Sequence, residues 1–263
     1  MRALGLGQAR GEFVILAEDH CVPDADCIAA IVERLRDGHD AVSPALRAGH
    51  RDSSWAKASF VLGYGEWMEP VASGPIDVLC GHNATVRTSL MRAFGDDAAG
   101  QLRLCAFAVK RLREGGARFF LENRARMRHF DPPGGWSEIK LFLFVGLGFG
   151  AMRTQKWPWL LRLIYPLAAP VLAVAHWRRA AVHCRRVNRQ PGFGSATLAA
   201  AAVLAAAWGV GEGVGALLGI DRITPWLSIT EVKPISWDSL LRSNSDEGQF
   251  SDGPAGTRNS NSA

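Results

Sequence analysis

Glu18, Asp19 and His20 close a short apolar run, Phe13-Val14-Ile15-Leu16-Ala17, that follows Ala9-Arg10-Gly11-Glu12. Two carboxylates and an imidazole on consecutive residues offer the oxygen and nitrogen donors that suit a divalent metal, which can in turn hold a phosphate. The apolar run reads as a buried strand entered through a glycine turn. It would deliver the three side chains at its carboxyl end, the edge at which open α/β sheets bind ligands. A plain strand ending in a polar loop has the same pattern, and on spacing alone both readings stand.

The surrounding pattern supplies the elements that would position such a cluster. Residues 2–9 read as the end of a short helix and 12–17 as the first clear strand. Pro23-Asp24 opens a helix to about Leu35, with Ile28, Ile31, Val32 and Leu35 on one face and Glu33, Arg34 and Arg36 on the other. Residues 40–44 predict a second strand. Residues 51–69 carry Trp55, Phe60, Tyr64 and Trp67, read as core aromatics before sugar platforms. Val78-Leu79-Cys80 predicts a further strand, running into a turn at Gly81-His82-Asn83 and a helix over 88–94. In that turn Gly permits close backbone approach and Asn tolerates the left-handed conformation. An amphipathic helix over 101–114, a strand over 117–121 and a basic run, Ala125-Arg126-Met127-Arg128-His129, complete an alternating α/β pattern.

Three ordered strings carry a family resemblance: Ala9-Arg10-Gly11-Glu12-Phe13 leading to Glu18-Asp19-His20, the turn Gly81-His82-Asn83-Ala84-Thr85-Val86-Arg87, and Arg111-Leu112-Arg113-Glu114-Gly115-Gly116 followed by a strand and a basic run to His129. Together they resemble family 2 glycosyltransferases of the GT-A fold. The resemblance implies a partial GT-A, Rossmann-like sheet with flanking helices. It implies inverting transfer of a sugar from a nucleotide-diphosphate donor to an acceptor hydroxyl, with Mn²⁺ or Mg²⁺ as cofactor. Residue by residue, Glu18 and His20 fall on the two Asp positions of the D-x-D metal motif, and His129 on a later metal- or diphosphate-contacting His. Asp19, Arg126 and Arg128 would then face the donor diphosphate, and Gly81, His82, Asn83 and Arg87 the acceptor. The chain departs from the pattern at the general base, whose register falls on Leu104 and Cys105, leaving Asp97 and Asp96 as the nearest carboxylates. It also departs by beginning close to the metal motif, as a chain lacking the N-terminal nucleotide-binding unit would. The resemblance therefore also admits a catalytically inactive, membrane-associated fragment or partner module.

The chain has 263 residues, 48% of them hydrophobic, with a net charge of +5. Its arginines cluster beside apolar runs, which points to an anionic membrane surface and away from nucleic acid. Five scattered cysteines without a Cys-x-x-Cys pair predict free thiols, and the opening residues carry no signal-peptide pattern. Residues 141–152 are apolar but too short to span a bilayer. Residues 157–177 are interrupted by Arg162, Pro166 and Pro170, which predicts an interfacial or re-entrant helix. Residues 196–220 have the length of a spanning helix but contain Glu212, which should face protein. The alternative is that both are core helices of a soluble protein.

The arginines of the connection 178–195 belong on the cytoplasmic side by the positive-inside rule. The expected organisation is a GT-A portion over 1–135, a membrane-associated helical region over 136–220 and a polar, disordered tail over 221–263. The expected place is the cytoplasmic face of the plasma (inner) membrane. A lipid-linked or polysaccharide acceptor would suit that place. A small integral membrane protein without sugar chemistry is the remaining alternative.

Overall fold

The computed structural model describes residues 2–49, 53–102, 105–130, 135–187 and 193–224. It is a mixed α/β structure whose sheet curls into a half-barrel. In chain order come α1 (Arg2–Gln8), β1 (Phe13–Ile15), β2 (Cys21–Pro23), α2 (Cys27–Arg36), β3 (Ala41–Ala48) and α3 (Ser54–Tyr64). Then follow β4 (Gly74–Ile76), β5 (Thr85–Arg87), α4 (Thr88–Arg92), α5 (Ala98–Gln101), α6 (Cys105–Glu114) and β6 (Phe119–His129). The apolar half contains α7 (Gly135–Arg153), α8 (Trp159–Ile164), α9 (Ala169–Arg186) and α10 (Ser195–Leu218). Of the polar, disordered tail expected from residue 221, residues 221–224 are helical, with Ile223 buried against Ala151, and the rest from residue 225 lies outside the described residues.

The sheet order is β1-β5-β3-β6-β2, with β4 also on β6. Of the strand pairs among the described residues, only β3/β6 is parallel. β6 is the longest strand and holds the sheet together. Its first part lies between β3 and β4, and its last part between β3 and β2. A register shift between Pro44 and Ala45 marks the change. The expected strand over 117–121 is thus one segment of an 11-residue strand that takes in the basic run. The basic run fits a strand because period-2 alternation buries Ala125, Met127 and His129 while the arginines between them point to the other face.

The sequence misplaces one strand. Val78-Leu79-Cys80 is not in the sheet, and the added strand is Gly74–Ile76. Around Val78 the backbone bonds to side chains instead of a ladder: Trp67 Nε1 donates to the Val78 carbonyl, and the Cys80 amide donates to Ser43 Oγ. The helix expected from Pro23 starts later, at Cys27, because residues 21–23 pair with β6. The connection expected over 178–195 is helical as far as Arg186. Pro170 does not prevent this, since proline is tolerated in the first helical turn, where no intrahelical acceptor awaits its N–H.

One hydrophobic core joins the two halves of the molecule, running from α2, β3 and α3 to Ala180 and Cys184 of α9 and Leu204 and Trp208 of α10. Arg179 donates to the Leu62 carbonyl, and Arg186 donates to the Gly65 and Met68 carbonyls. The basic end of α9 therefore satisfies carbonyls at and beyond the C-terminal end of α3. A second core, built on Leu79, Val86, Met91, Leu102 and Leu112, fills the opposite side of the sheet. All five cysteines are free thiols, four of them buried.

Candidate metal centre

Backbone pairing brings three separate segments to one point. Beyond β1, the Leu16 amide donates to the Ala84 carbonyl and the Asn83 amide to the Leu16 carbonyl, so the 16–18 and 83–84 loops run side by side. At the other edge β2 pairs with β6, with Cys21 opposite His129, and the Phe130 amide donates to the His20 carbonyl. The rings of His20 and His129 meet edge to face, 4.7 Å apart. Glu18 is at the centre, its side chain 11% exposed.

Every atom of the Glu18 carboxylate is engaged. Tyr64 Oη and Asn83 Nδ2 each donate to Oε2 at 2.8 Å, and His129 Nε2 is 3.3 Å from the same oxygen. His82 Nδ1 is 3.1 Å from Oε1, and His20 Nε2 is 3.9 Å from it. Asn83 also accepts the Glu18 backbone amide at 3.0 Å, from a left-handed backbone at φ 64°. Burial alone would raise the Glu18 carboxyl. His82, His129 and His20 outweigh it and hold the group well below the ordinary carboxylate range. Burial lowers His82 below the ordinary imidazole value, against the pull of Glu18 and with the help of Arg2. Near neutral pH this site therefore presents a carboxylate and at least one neutral imidazole.

Glu18, His20 and His129 place their ligand atoms within 4.8 Å of one another and could hold a metal ion. Among the described residues no second group of this kind is found. The donor set fits a divalent transition metal such as Mn²⁺. It fits Mg²⁺ poorly, because Mg²⁺ selects oxygen ligands and two of these three donors are imidazole nitrogens.

The other residues singled out by the sequence separate into two groups. Asp19 bonds to His20 Nδ1 at 2.9 Å, and His82 and Asn83 face Glu18, so these three join the centre. Gly81 backs against α6, where a Cβ would lie 3.0 Å from that of Cys105. Arg87 is held by Glu12, by Asp40 and by the Leu35 carbonyl, and stacks over Phe13. Arg126 pairs with Glu69 at 3.0 Å. Arg126 and Arg128 alternate with His129 along β6, on the face opposite to it. Asp96 and Asp97 are on an exposed 3₁₀ turn, with Asp97 tied to Arg111 at 2.6 Å and to Gln101. The structure does not bring these two carboxylates to the Glu18 cluster. Leu104, in the base register, lies outside the described residues.

Sequence reasoning missed two contributors. Tyr64, grouped with the core aromatics, reaches the site because it ends α3 and its hydroxyl needs a partner. Arg2 approaches His82 Nδ1 at 3.3 Å from α1. No local pattern in the sequence signals either contact.

Neither a protein-family model nor a curated protein matches the chain.

Proposed function

We propose that this chain is a membrane-bound, metal-dependent glycosyltransferase that acts on a nucleotide-diphosphate sugar and an acceptor hydroxyl. The observation that carries the reading is the meeting of Glu18, His20 and His129. The resemblance to family 2 enzymes calls for a metal at those positions, and they come from strings far apart in the sequence. A bound metal would supply charge to neutralise a leaving diphosphate. The chain's own contribution is to fix the Glu18 carboxylate through Tyr64 and Asn83, and to keep His20 in one orientation through Asp19. Arg2 would add a cation beside the anionic ligand.

Membrane attachment rests on two helical stretches, Trp159–Arg186 and Ser195–Leu218, that are long and apolar enough to cross a bilayer. The acceptor then belongs at the cytoplasmic membrane face, as a lipid-linked sugar or a growing polysaccharide. One observation favours a second reading, a non-catalytic membrane-associated module: Asp97, the nearest replacement for the general base, is committed to Arg111. Donor hydrolysis with Mn²⁺ separates the two. Wild-type turnover that falls at least a hundredfold in Glu18→Ala/His20→Ala supports the transferase. Absence of metal-dependent turnover in the wild type supports the module.

A further inference from the structure

A third imidazole, His82, stands against Glu18 beside the metal-binding group. We propose that this centre is a transition-metal site of the zinc and cobalt class, ligated by Glu18, His20, His129 and, as an exchangeable fourth donor, His82. In it Asp19 orients His20 and does not touch substrate. The proposal rests on reading these residues as a metal centre, but it does not depend on sugar transfer.

Four observations carry it. The first is donor chemistry. Three nitrogens and one carboxylate favour the later divalent metals over Mg²⁺, which keeps its water shell and selects oxygen. The second is spacing. A tetrahedral ion at zinc-like bond lengths sets its ligand atoms about 3.4 Å apart. Here the contacts to Glu18 are 3.3 Å from His129 Nε2 to Oε2, and 3.1 Å from His82 Nδ1 and 3.9 Å from His20 Nε2 to Oε1. The ligand atoms of Glu18, His20 and His129 lie within 4.8 Å of one another, and His82 adjoins this group through Glu18. Side-chain rotation would have to bring the four donors around one ion.

The third is the outer shell. Asp19 Oδ1 accepts from His20 Nδ1 at 2.9 Å, leaving Nε2 aimed at Glu18, which is the carboxylate–histidine–metal arrangement that fixes a ligand's tautomer. Tyr64 and Asn83 do the same for the Glu18 carboxylate. The fourth is asymmetry of exposure. His129 is 3% exposed, whereas His20 and His82 are 22% and 31% exposed, so the site is closed at the back and open at the front. Structural zinc sites are closed, while sites that bind an exogenous ligand keep an open position. His82 Nδ1 lies 3.1 Å from Glu18 Oε1 and 3.3 Å from Arg2 and can donate to the first or accept from the second but not both, which makes it the donor most readily displaced.

The test uses the full chain in detergent micelles, stripped by a chelator and titrated with Co²⁺ without nucleotide. Visible absorbance is the readout, and circular dichroism checks the fold of each variant. The expected result is one Co²⁺ per chain with d–d bands. Zn²⁺ should abolish them, and Mg²⁺ in roughly thousandfold excess should leave them unchanged. His20→Gln and His129→Gln should weaken Co²⁺ binding about a hundredfold or more. Asp19→Asn should weaken it about tenfold, as loss of an outer-shell partner does. His82→Gln should shift the bands with a smaller loss of affinity.

Displacement of Co²⁺ by Mg²⁺ at comparable concentration would overturn the proposal, as would Co²⁺ binding insensitive to His20→Gln in a folded chain. Adding a nucleotide-diphosphate sugar separates the two readings. The Co²⁺ signature without donor turnover sinks the transferase and leaves the metal class standing. Turnover with Mg²⁺ and no Co²⁺ signature does the reverse.

Discussion

Two residues show how this chain stabilises polar groups in its interior, and each gives a measurable consequence. Glu122 on β6 has a side chain only 1% exposed. It accepts from Arg34 Nε at 2.6 Å, from the Arg124 amide and guanidinium, and from Ser73. Burial pushes its carboxyl up, and the bonds from Arg124 and Arg34 overcome this and bring it to about 2. A folded-state pKa below the unfolded one contributes stability that is full above the unfolded value and is lost as pH falls through the folded one. Stability should therefore decline between about pH 4.5 and pH 2, by at most about 3 kcal/mol from this group. Denaturant titrations across that range should show a shallower acid limb for Glu122→Gln than for the wild type. Asn83 combines a left-handed backbone with two hydrogen bonds to Glu18. Asn83→Ala should cost about 2–3 kcal/mol in a urea melt. Asn83→Gly, which carries no backbone penalty, should recover about 1 kcal/mol of that.

At the scale of elements, the apolar half is held by glycines. Gly146 and Gly150 of α7 face Gly211 and Gly215 of α10. A Cβ added at Gly150 would lie 1.9 Å from the Glu212 carbonyl oxygen, and one at Gly215 would lie 2.1 Å from that of Leu147. Two small-xxx-small stripes thus let the helix backbones touch, as in membrane-type packing. The Glu212 side chain, fully buried, is met by Arg153 and Tyr165 at 2.8 Å and by His176 at 3.3 Å, and His176 stacks on Trp208. The expectation that Glu212 faces protein is therefore met by named partners. Gly150→Ala should destabilise the fold by about 2–3 kcal/mol, because overpacking here meets backbone and not a flexible side chain. Gly63→Ala is the control. Gly63 is helical, exposed and has open space at its Cβ, so alanine should stabilise by about 0.5–1 kcal/mol. Thermal melts in the same detergent would separate the two.

For the whole molecule, the two candidate spans differ in kind. The apolar window within Trp159–Arg186 is 0% buried, whereas that of Ser195–Leu218 is 56% buried and packs against α3, α7 and α9. Trp159, Leu160, Leu163, Ile164, Leu167 and Val171 are all at least half exposed, with Arg178 and Arg185 exposed further along the same stretch. An apolar face of this size flanked by arginine suits an anionic bilayer. Replacing Leu160, Leu163 and Leu167 together by Asp should reduce co-sedimentation with phosphatidylserine-containing vesicles more than tenfold. Raising the salt concentration should weaken binding of the wild type only in part, since the apolar contribution is not screened. If the triple variant sediments as the wild type does, this face is not the membrane contact.

Some of this was written in the local sequence. The apolar run before Glu18, the left-handed tolerance of Asn83, the amphipathic α2 and the length of α10 all follow from residue type and period, which act over a few neighbours. The triad of Glu18, His20 and His129 was also nameable, but only because a family resemblance tied distant strings together. What the sequence alone did not decide is whatever depends on strand pairing and side-chain direction. β2/β6 pairing sets His129 beside His20, and alternation along β6 turns Arg126 and Arg128 away. The loop before β5 brings His82 and Asn83 onto the Glu18 carboxylate, and α3 carries Tyr64 to it. A one-residue change of register in β6 would exchange the buried histidine for an arginine without altering any local propensity. For that reason the donor atoms could be listed from the sequence, but only the tertiary structure decided which of them converge.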